Sequence, residues 1–153
     1  MERAVTDDTR PVHTPCSCIT VHSLSHAQAA LNVAAQAGVS VTLLSAPGAA
    51  AYVGPGWFVQ LLAQLTTEQK QALANAYLDC GPRPGDALAA YRAGVPAVIF
   101  TGRSDVAGKL RALASAHGTE FMTERPDALD LLDVRETERA VAGYLETQSG
   151  RGR

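Results

Sequence analysis

The stretches 35-AQAGVSVTLLS-45 and 91-YRAGVPAVIFT-101 decide the fold, because both lead from a helix end into a strand through an Ala-Gly-Val turn. Each stretch ends on a hydroxyl residue, and 115-SAHGTEFMT-123 is a weaker third copy. Glycine commonly ends helices in the left-handed conformation, and the β-rich run after it predicts a buried strand. Short joints from helix to strand are typical of parallel sheets, so the sequence predicts an α/β domain.

Around these joints, apolar runs alternate with alanine-rich stretches. Strands are predicted at 18–22, 39–44, 76–80, 95–100 and 120–122, and helices at 25–37, 57–65, 67–73, 85–93, 105–116 and 136–145. Ser25 and Gln28 fit a capping box for the first helix. The stretch 128–134 has no clear pattern and stays unassigned.

Five such units favour a single doubly wound (flavodoxin-like or Rossmann-like), open and mostly parallel five-stranded sheet with helices on both faces. We expect the strand order 2-1-3-4-5. The segment 86-DALAAYRAGV-95 also suits a barrel helix, so an aldolase-like half barrel is a further possibility that the strand order decides.

Composition limits the class of protein and of partner. The chain has 153 residues, a net charge of −2 and three cysteines. We expect a flexible lead-in at 1–15, one α/β domain at 16–146 and a disordered tail at 147–153. The balanced charge and the absence of a signal-like or membrane-spanning segment predict a cytoplasmic protein without a nucleic-acid or membrane partner.

The interval 27–67 contains no charged residue and no histidine, although it includes two predicted helices. Surface helices normally carry charge, whereas protein interfaces are depleted of charge and enriched in aromatic residues. This interval predicts a homo-oligomer, with a dimer as the first expectation, and poorly charged surface helices are the alternative interpretation. The predicted interface residues are Gln28, Asn32, Tyr52, Trp57, Phe58, Gln60 and Gln64.

Ligands of open parallel sheets bind beyond the carboxyl ends of the strands. Hydroxyls, glycines and two arginines follow the predicted strands, and they suit a small carboxylate or phosphate. The same hydroxyls could instead cap the following helices. The candidate ligand-binding residues are Ser23, Ser45, Gly48, Thr101, Gly102, Arg103, Thr123 and Arg125.

A weaker catalytic reading uses Cys80 as a thiol nucleophile with Asp79 and His22 beside it. A buried, inert cysteine is the alternative. Ser45 could join His22 and Asp79 in a triad, but the G-x-S-x-G pattern is absent. Cys16 and Cys18, with His13 and His22, lack the spacing of a zinc site, so neither a metal nor another cofactor is expected.

The segment 76–103 resembles the third to fourth strand of two-component receiver domains. In that resemblance Asp79 matches the phospho-acceptor, Thr101 the switch hydroxyl, and Arg125-Pro126 the Lys-Pro pair. His22-Ser23 stands where receivers place the acids that hold Mg²⁺, which implies at most a degenerate receiver used for protein contacts. The leading expectation is a non-catalytic α/β module that oligomerises and binds a small anionic ligand or a protein partner. The alternatives are a small enzyme with the Cys80, Asp79 and His22 site or this receiver-like domain.

Overall fold

The computed structural model describes residues 17–151. Its strands are Cys18–Thr20 (β1), Val41–Leu44 (β2), Leu73–Asp79 (β3), Ala97–Ile99 (β4), Glu120–Met122 (β5) and Leu129–Asp130 (β6). Its α-helices are Leu24–Ala37 (α1), Gly54–Ala63 (α2), Thr67–Gln71 (α3), Pro84–Ala93 (α4), Ser104–Ala116 (α5) and Thr137–Arg151 (α6). The predicted lead-in at 1–15, together with His13 and Cys16, lies outside the described residues.

One sheet joins these strands in the order β5-β4-β3-β2-β1-β6, and every pair is parallel. The predicted class, a parallel α/β fold with helices around the sheet, is confirmed. The predicted order 2-1-3-4-5 is wrong, because β1 to β5 lie side by side in chain order. The predicted count of five strands misses β6, which lies in the unassigned stretch and pairs with β1.

Side chains alternate between two faces of this sheet. The outer face presents residues such as Ile19, Leu43 and Leu78 to a core that includes the helices. The inner face holds a second cluster around Cys18, Leu44 and Ile99. Within the described chain, that second cluster draws only on strands and on the segment 123–128, so the expectation of helices on both faces is corrected.

The segment 123–128 closes the inner face. It connects β5 to β6, which lie at opposite edges of the sheet. Ala128 packs in the inner cluster, and the inner-face residues Thr20, Thr42 and Asp79 are buried. Five strand spacings amount to about 24 Å, close to the full reach of so short a connection. The segment 123–128 also packs against the inner face along its path, so it has no length to spare. The two edges of the sheet must therefore approach each other, which means that the sheet curves around the segment.

Local signals explain most element ends, with three corrections. Ser23, not Ser25, caps α1, because its hydroxyl accepts a hydrogen bond from His26 N at 3.2 Å. Gly38 ends α1 at φ 71°, as its position after the helix predicts. The strand β3 begins three residues earlier than predicted, at Leu73. Residues 147–151, expected in the disordered tail, continue α6.

Within residues 17–151, no helix is both long enough and apolar enough to cross a membrane.

Candidate functional site

Arg125 reaches from the segment 123–128 to the carboxyl ends of three strands. Its Nη1 donates to Asp79 Oδ2 at 2.8 Å, and its Nη2 donates to Thr20 Oγ1 at 2.9 Å and to the Ser45 carbonyl at 2.8 Å. The side chain is 22% exposed, so the guanidinium lies at the boundary between the inner face and solvent. Arg125 therefore holds the closing segment against the sheet.

Asp79 and Ser45 are bound into the same network. The Asp79 carboxylate accepts from Gly81 N at 2.8 Å as well as from Arg125, and the residue is 3% exposed. Ser45 Oγ accepts from Asp79 N at 2.9 Å and donates to the Ala46 carbonyl. These bonds account for both side chains structurally. Because the Ser45 hydroxyl donates its proton to the Ala46 carbonyl and not to His22, the predicted triad does not form.

Cys80 lies on the outer face, opposite to Asp79, because neighbouring strand residues point in opposite directions. The side chain belongs to the helix-facing core and is fully buried. Burial, followed by the charges of Asp86 and Asp79, raises the pKa of the thiol to about 12. A buried thiol with so high a pKa is a poor nucleophile at neutral pH. The interpretation of Cys80 as the nucleophile is therefore not supported.

His22 has a different acidic partner from the one predicted. Its Nε2 lies 2.6 Å from Asp130 Oδ1 at the carboxyl ends of β1 and β6. Asp130 Oδ1 also accepts from Leu132 N at 2.9 Å. Burial alone would raise the pKa of Asp130, but these two hydrogen bonds and the charges of His22 and Arg125 lower it. Asp130 is thus a carboxylate that accepts the Nε2–H of His22.

His26 packs beside this pair. Its ring lies edge-on to His22 with the centroids 5.8 Å apart, and its Nδ1 accepts from His22 N at 3.0 Å. A ring nitrogen that accepts a hydrogen bond carries no proton. Burial and the neighbouring His22 lower the pKa of His26, against an opposing effect of Asp130. The hydrogen bond from His22 N and the lowered pKa both favour a neutral His26 near pH 7.

These polar side chains form one layer above the apolar inner cluster. Thr20 pairs with Asp130 in the sheet register and also accepts from Arg125. We call this layer the mouth, and it consists of Thr20, His22, His26, Ser45, Asp79, Arg125 and Asp130. In barrel-type α/β folds, binding and catalytic sites lie at this carboxyl edge. The mouth is accordingly the candidate functional site.

Sequence reasoning selected four of these residues and missed three. Thr20 lay within a predicted strand, and His26 lay within a predicted helix about one turn beyond the end of the first strand, so neither was selected as a site residue. Asp130 belongs to a strand of two residues, too short to produce a periodic pattern. The pairing of Asp130 with His22 across 108 positions leaves no local signal.

The other predicted ligand residues lie around the mouth. Thr101 and Thr123 are exposed, and Ser23 caps α1. Arg103 is exposed and donates to Asp105 in the first turn of α5 at 2.7 Å. The two glycines have structural roles. Gly48 adopts φ 66°, and a Cβ on Gly102 would lie 2.5 Å from the Phe100 ring.

Among residues 17–151, no three histidine, cysteine or acidic side chains converge as a metal site would require. The receiver-like interpretation is also not supported. Asp79, the matched phospho-acceptor, is buried and hydrogen-bonded on both oxygens. The strand order differs as well from the flavodoxin-like order expected for receivers.

The predicted interface residues divide into two groups. Phe58 is fully buried in the core, which corrects its assignment to an interface, and Trp57 packs partly buried against that core. Asn32 is exposed but accepts from Gln69 Nε2 at 3.0 Å, so its amide also serves packing between α1 and α3. Tyr52 is 67% exposed. The other predicted amides, Gln28, Gln60 and Gln64, are half-buried or exposed.

A groove of about 650 Å³ lies away from the mouth, on the helix layer. Asn32 and Gln36 of α1, Gln69 of α3 and Glu138 of α6 are among its lining residues. None of the mouth residues lines it. Because it is wide and carries no constellation of reactive groups, we place the candidate site at the mouth.

Comparisons with known proteins bear on the fold. No protein-family model and no curated protein matches the sequence. Among solved structures, the chain is similar to a candidate fructose-1,6-biphosphate aldolase from Coccidioides immitis, with a TM-score of 0.54 at 16% sequence identity. The match covers 84% of this chain and 52% of the other, so this chain spans about half the length of that structure. The likeness concerns the fold alone, and together with the sequential strand order it favours the half barrel over the doubly wound sheet.

Proposed function

We propose that this chain is a half-barrel module that binds a small molecule bearing a carboxylate or phosphate at the mouth. The observation that carries the proposal is the placement of Arg125. A guanidinium has five N–H donors, and three of them are used by Asp79, Thr20 and the Ser45 carbonyl. The other two have no partner within residues 17–151, and the side chain keeps contact with solvent.

The surroundings of Arg125 suit an anion held by hydrogen bonds. The amino ends of α1, α4 and α5 follow the carboxyl ends of β1, β3 and β4 in the chain, so they lie on the same edge of the sheet. Helix amino ends carry partial positive charge and free N–H groups. The Cys80 thiol is buried on the outer face, so it cannot form a covalent bond with a ligand at the mouth. We therefore propose non-covalent binding.

The test is a thermal-shift and calorimetric titration with sodium phosphate and with sodium pyruvate. A ligand at ten times its Kd stabilises the fold by about 1.4 kcal/mol, which corresponds to a Tm increase of about 4 °C for a domain of this size. Arg125→Lys keeps the charge but not the planar set of donors, so the shift should disappear. Arg103→Lys is the matched control and should leave the shift unchanged. A wild-type chain that responds to neither anion contradicts the proposal.

A second proposal concerns self-association. Tyr52 and Val53 are adjacent, exposed by 67% and 39%, and lie inside the uncharged interval 27–67. Exposed aromatic surface without nearby charge is typical of interface cores. We propose a homodimer that uses this loop. Sedimentation at micromolar concentration should give twice the 16.0 kDa chain mass, and Tyr52→Glu should give the monomer. A wild-type monomer would contradict it.

A further inference from the structure

We propose that His22 is a general base that removes a proton from a small 2-oxo carboxylate bound at the mouth. This inference rests on the proposed anion site and adds a reaction to it. The observation that carries it is the arrangement of His22, Asp130 and Arg125 at one edge of the sheet. The reaction does not involve Cys80.

The hydrogen bonds of His22 leave one particular nitrogen available. Nε2 lies 2.6 Å from the Asp130 carboxylate, which is an acceptor and so requires a proton on Nε2. Nδ1 of His22 has no hydrogen-bond partner among residues 17–151. The side chain is 19% exposed, so it is restrained and still in contact with solvent. The imidazole is therefore held in the tautomer whose Nδ1 has a free lone pair.

Asp130 is itself fixed in place. Its Oδ1 accepts from Leu132 N at 2.9 Å in addition to His22. A base oriented by a hydrogen-bonded third group is the general arrangement of catalytic histidines. When His22 takes up a proton on Nδ1, the negative charge of Asp130 stabilises the imidazolium. Asp130 is a positioning residue, since it acts through His22.

The other ionisable groups around His22 agree with this role. His26 packs edge-on to His22 and is kept neutral by the hydrogen bond from His22 N. Arg125 lies close enough to lower the pKa of Asp130. It hydrogen-bonds Thr20, the strand neighbour of Asp130. A carboxylate bound by Arg125 would therefore lie beside the His22 ring.

The step is a reversible proton transfer. The C–H bond next to the ketone breaks, its proton moves to His22 Nδ1, and its electron pair forms the enolate. Arg125 stabilises the negative charge that develops on the ketone oxygen. In D₂O the imidazolium exchanges its proton and returns deuterium to carbon, so no oxidant, reductant or other reactant is needed.

The experiment follows deuterium incorporation into the methyl group of pyruvate by proton NMR in D₂O. Wild-type protein should exchange these protons faster than buffer alone, and His22→Asn should slow the protein-dependent rate by at least about 100-fold. His117→Asn, which changes an exposed histidine outside the mouth, is the matched control and should keep the wild-type rate. Asp130→Asn should lower the exchange rate by a much larger factor than it changes the Kd for pyruvate, because Asp130 acts through His22. A merely structural role for Asp130 would instead change the rate and the Kd together.

Binding is measured in the same samples by calorimetry, so the two proposals fail separately. If pyruvate binds and its methyl protons do not exchange above the buffer rate, the base assigned to His22 is wrong and the anion site stands. If exchange persists unchanged in His22→Asn, the assignment is also wrong. If neither pyruvate nor phosphate binds, both the anion site and the reaction are wrong.

Discussion

The outer and inner faces of the sheet are held in place by different forces. On the outer face, Ile19, Leu43 and Leu78 are fully buried against a core shared with the helices. On the inner face a small apolar cluster is covered by a segment that Arg125 holds in place through three hydrogen bonds. Apolar burial tolerates some rearrangement, whereas a buried charge without its partner is strongly unfavourable. We therefore expect the stability of the fold to be more sensitive to substitutions on the inner face. The inner face also carries the candidate site.

The largest effect is expected for Arg125→Ala. It removes three hydrogen bonds and leaves the buried Asp79 carboxylate without its cation, which should lower the free energy of unfolding by about 3–5 kcal/mol. Urea denaturation measures it. Arg103→Ala removes an exposed pair and should cost no more than about 0.5 kcal/mol. Equal losses for the two variants would mean that Arg125 does not close the inner face.

On the outer face, Leu78→Ala should lower the free energy of unfolding by about 3 kcal/mol, because it leaves a cavity in the core. The same urea experiment applies, with Leu113→Ala as the control, since Leu113 is 43% exposed. The Leu78 variant should still bind phosphate, because the residue points away from the mouth. Loss of phosphate binding in a folded Leu78 variant would contradict the separation of the two faces.

Cys80 should react with thiol reagents only when the protein opens. Complete burial and a pKa raised to about 12 both reduce its reactivity. The labelling rate of Cys80 is measured by mass spectrometry at pH 8 in a Cys16→Ser variant. The rate in the native protein should be about three orders of magnitude lower than the rate in urea. Rapid labelling of the native protein would instead place the thiol at an open site.

The smallest effect is a dependence of stability on pH through His26. Its pKa in the folded protein is lowered, mainly by burial and then by His22, so the unfolded chain binds a proton more readily. Its contribution is complete above the unfolded pKa, near 6.5, and is lost as the pH falls towards the folded value. Urea denaturation at pH 7.5, 6.5 and 5.5 should show declining stability. His26→Gln should weaken the decline, and an unchanged decline would mean that other groups cause it.

Much of the outer face could be predicted from sequence. The Ala-Gly-Val joints located β2 and β4, and Gly38 and Gly94 end their helices in the left-handed conformation as expected. The alternation of apolar residues identified the core strands. These signals are local, because a helix end or a buried strand depends on neighbouring residues in the chain.

The inner face could not be predicted in the same way. The strand order depends on which edges meet, and β6 has only two residues. Arg125 was identified as a candidate, but its contacts with Thr20 and Asp79 span 105 and 46 positions. Likewise, no local feature of the sequence distinguished Asp130 from Asp79 as the acidic partner of His22. The pairing of β6 with β1 brings Asp130 to His22.

A double-mutant cycle between Arg125 and Asp79 tests the closure of the inner face most directly. Arg125→Ala, Asp79→Ala and the double variant are unfolded in urea, and Arg103 with Asp105 provides the exposed control pair. If Arg125 holds the closing segment through Asp79, the two losses should be coupled by at least about 1.5 kcal/mol, against no more than about 0.5 kcal/mol for the control. Losses that add within about 0.5 kcal/mol would contradict the account.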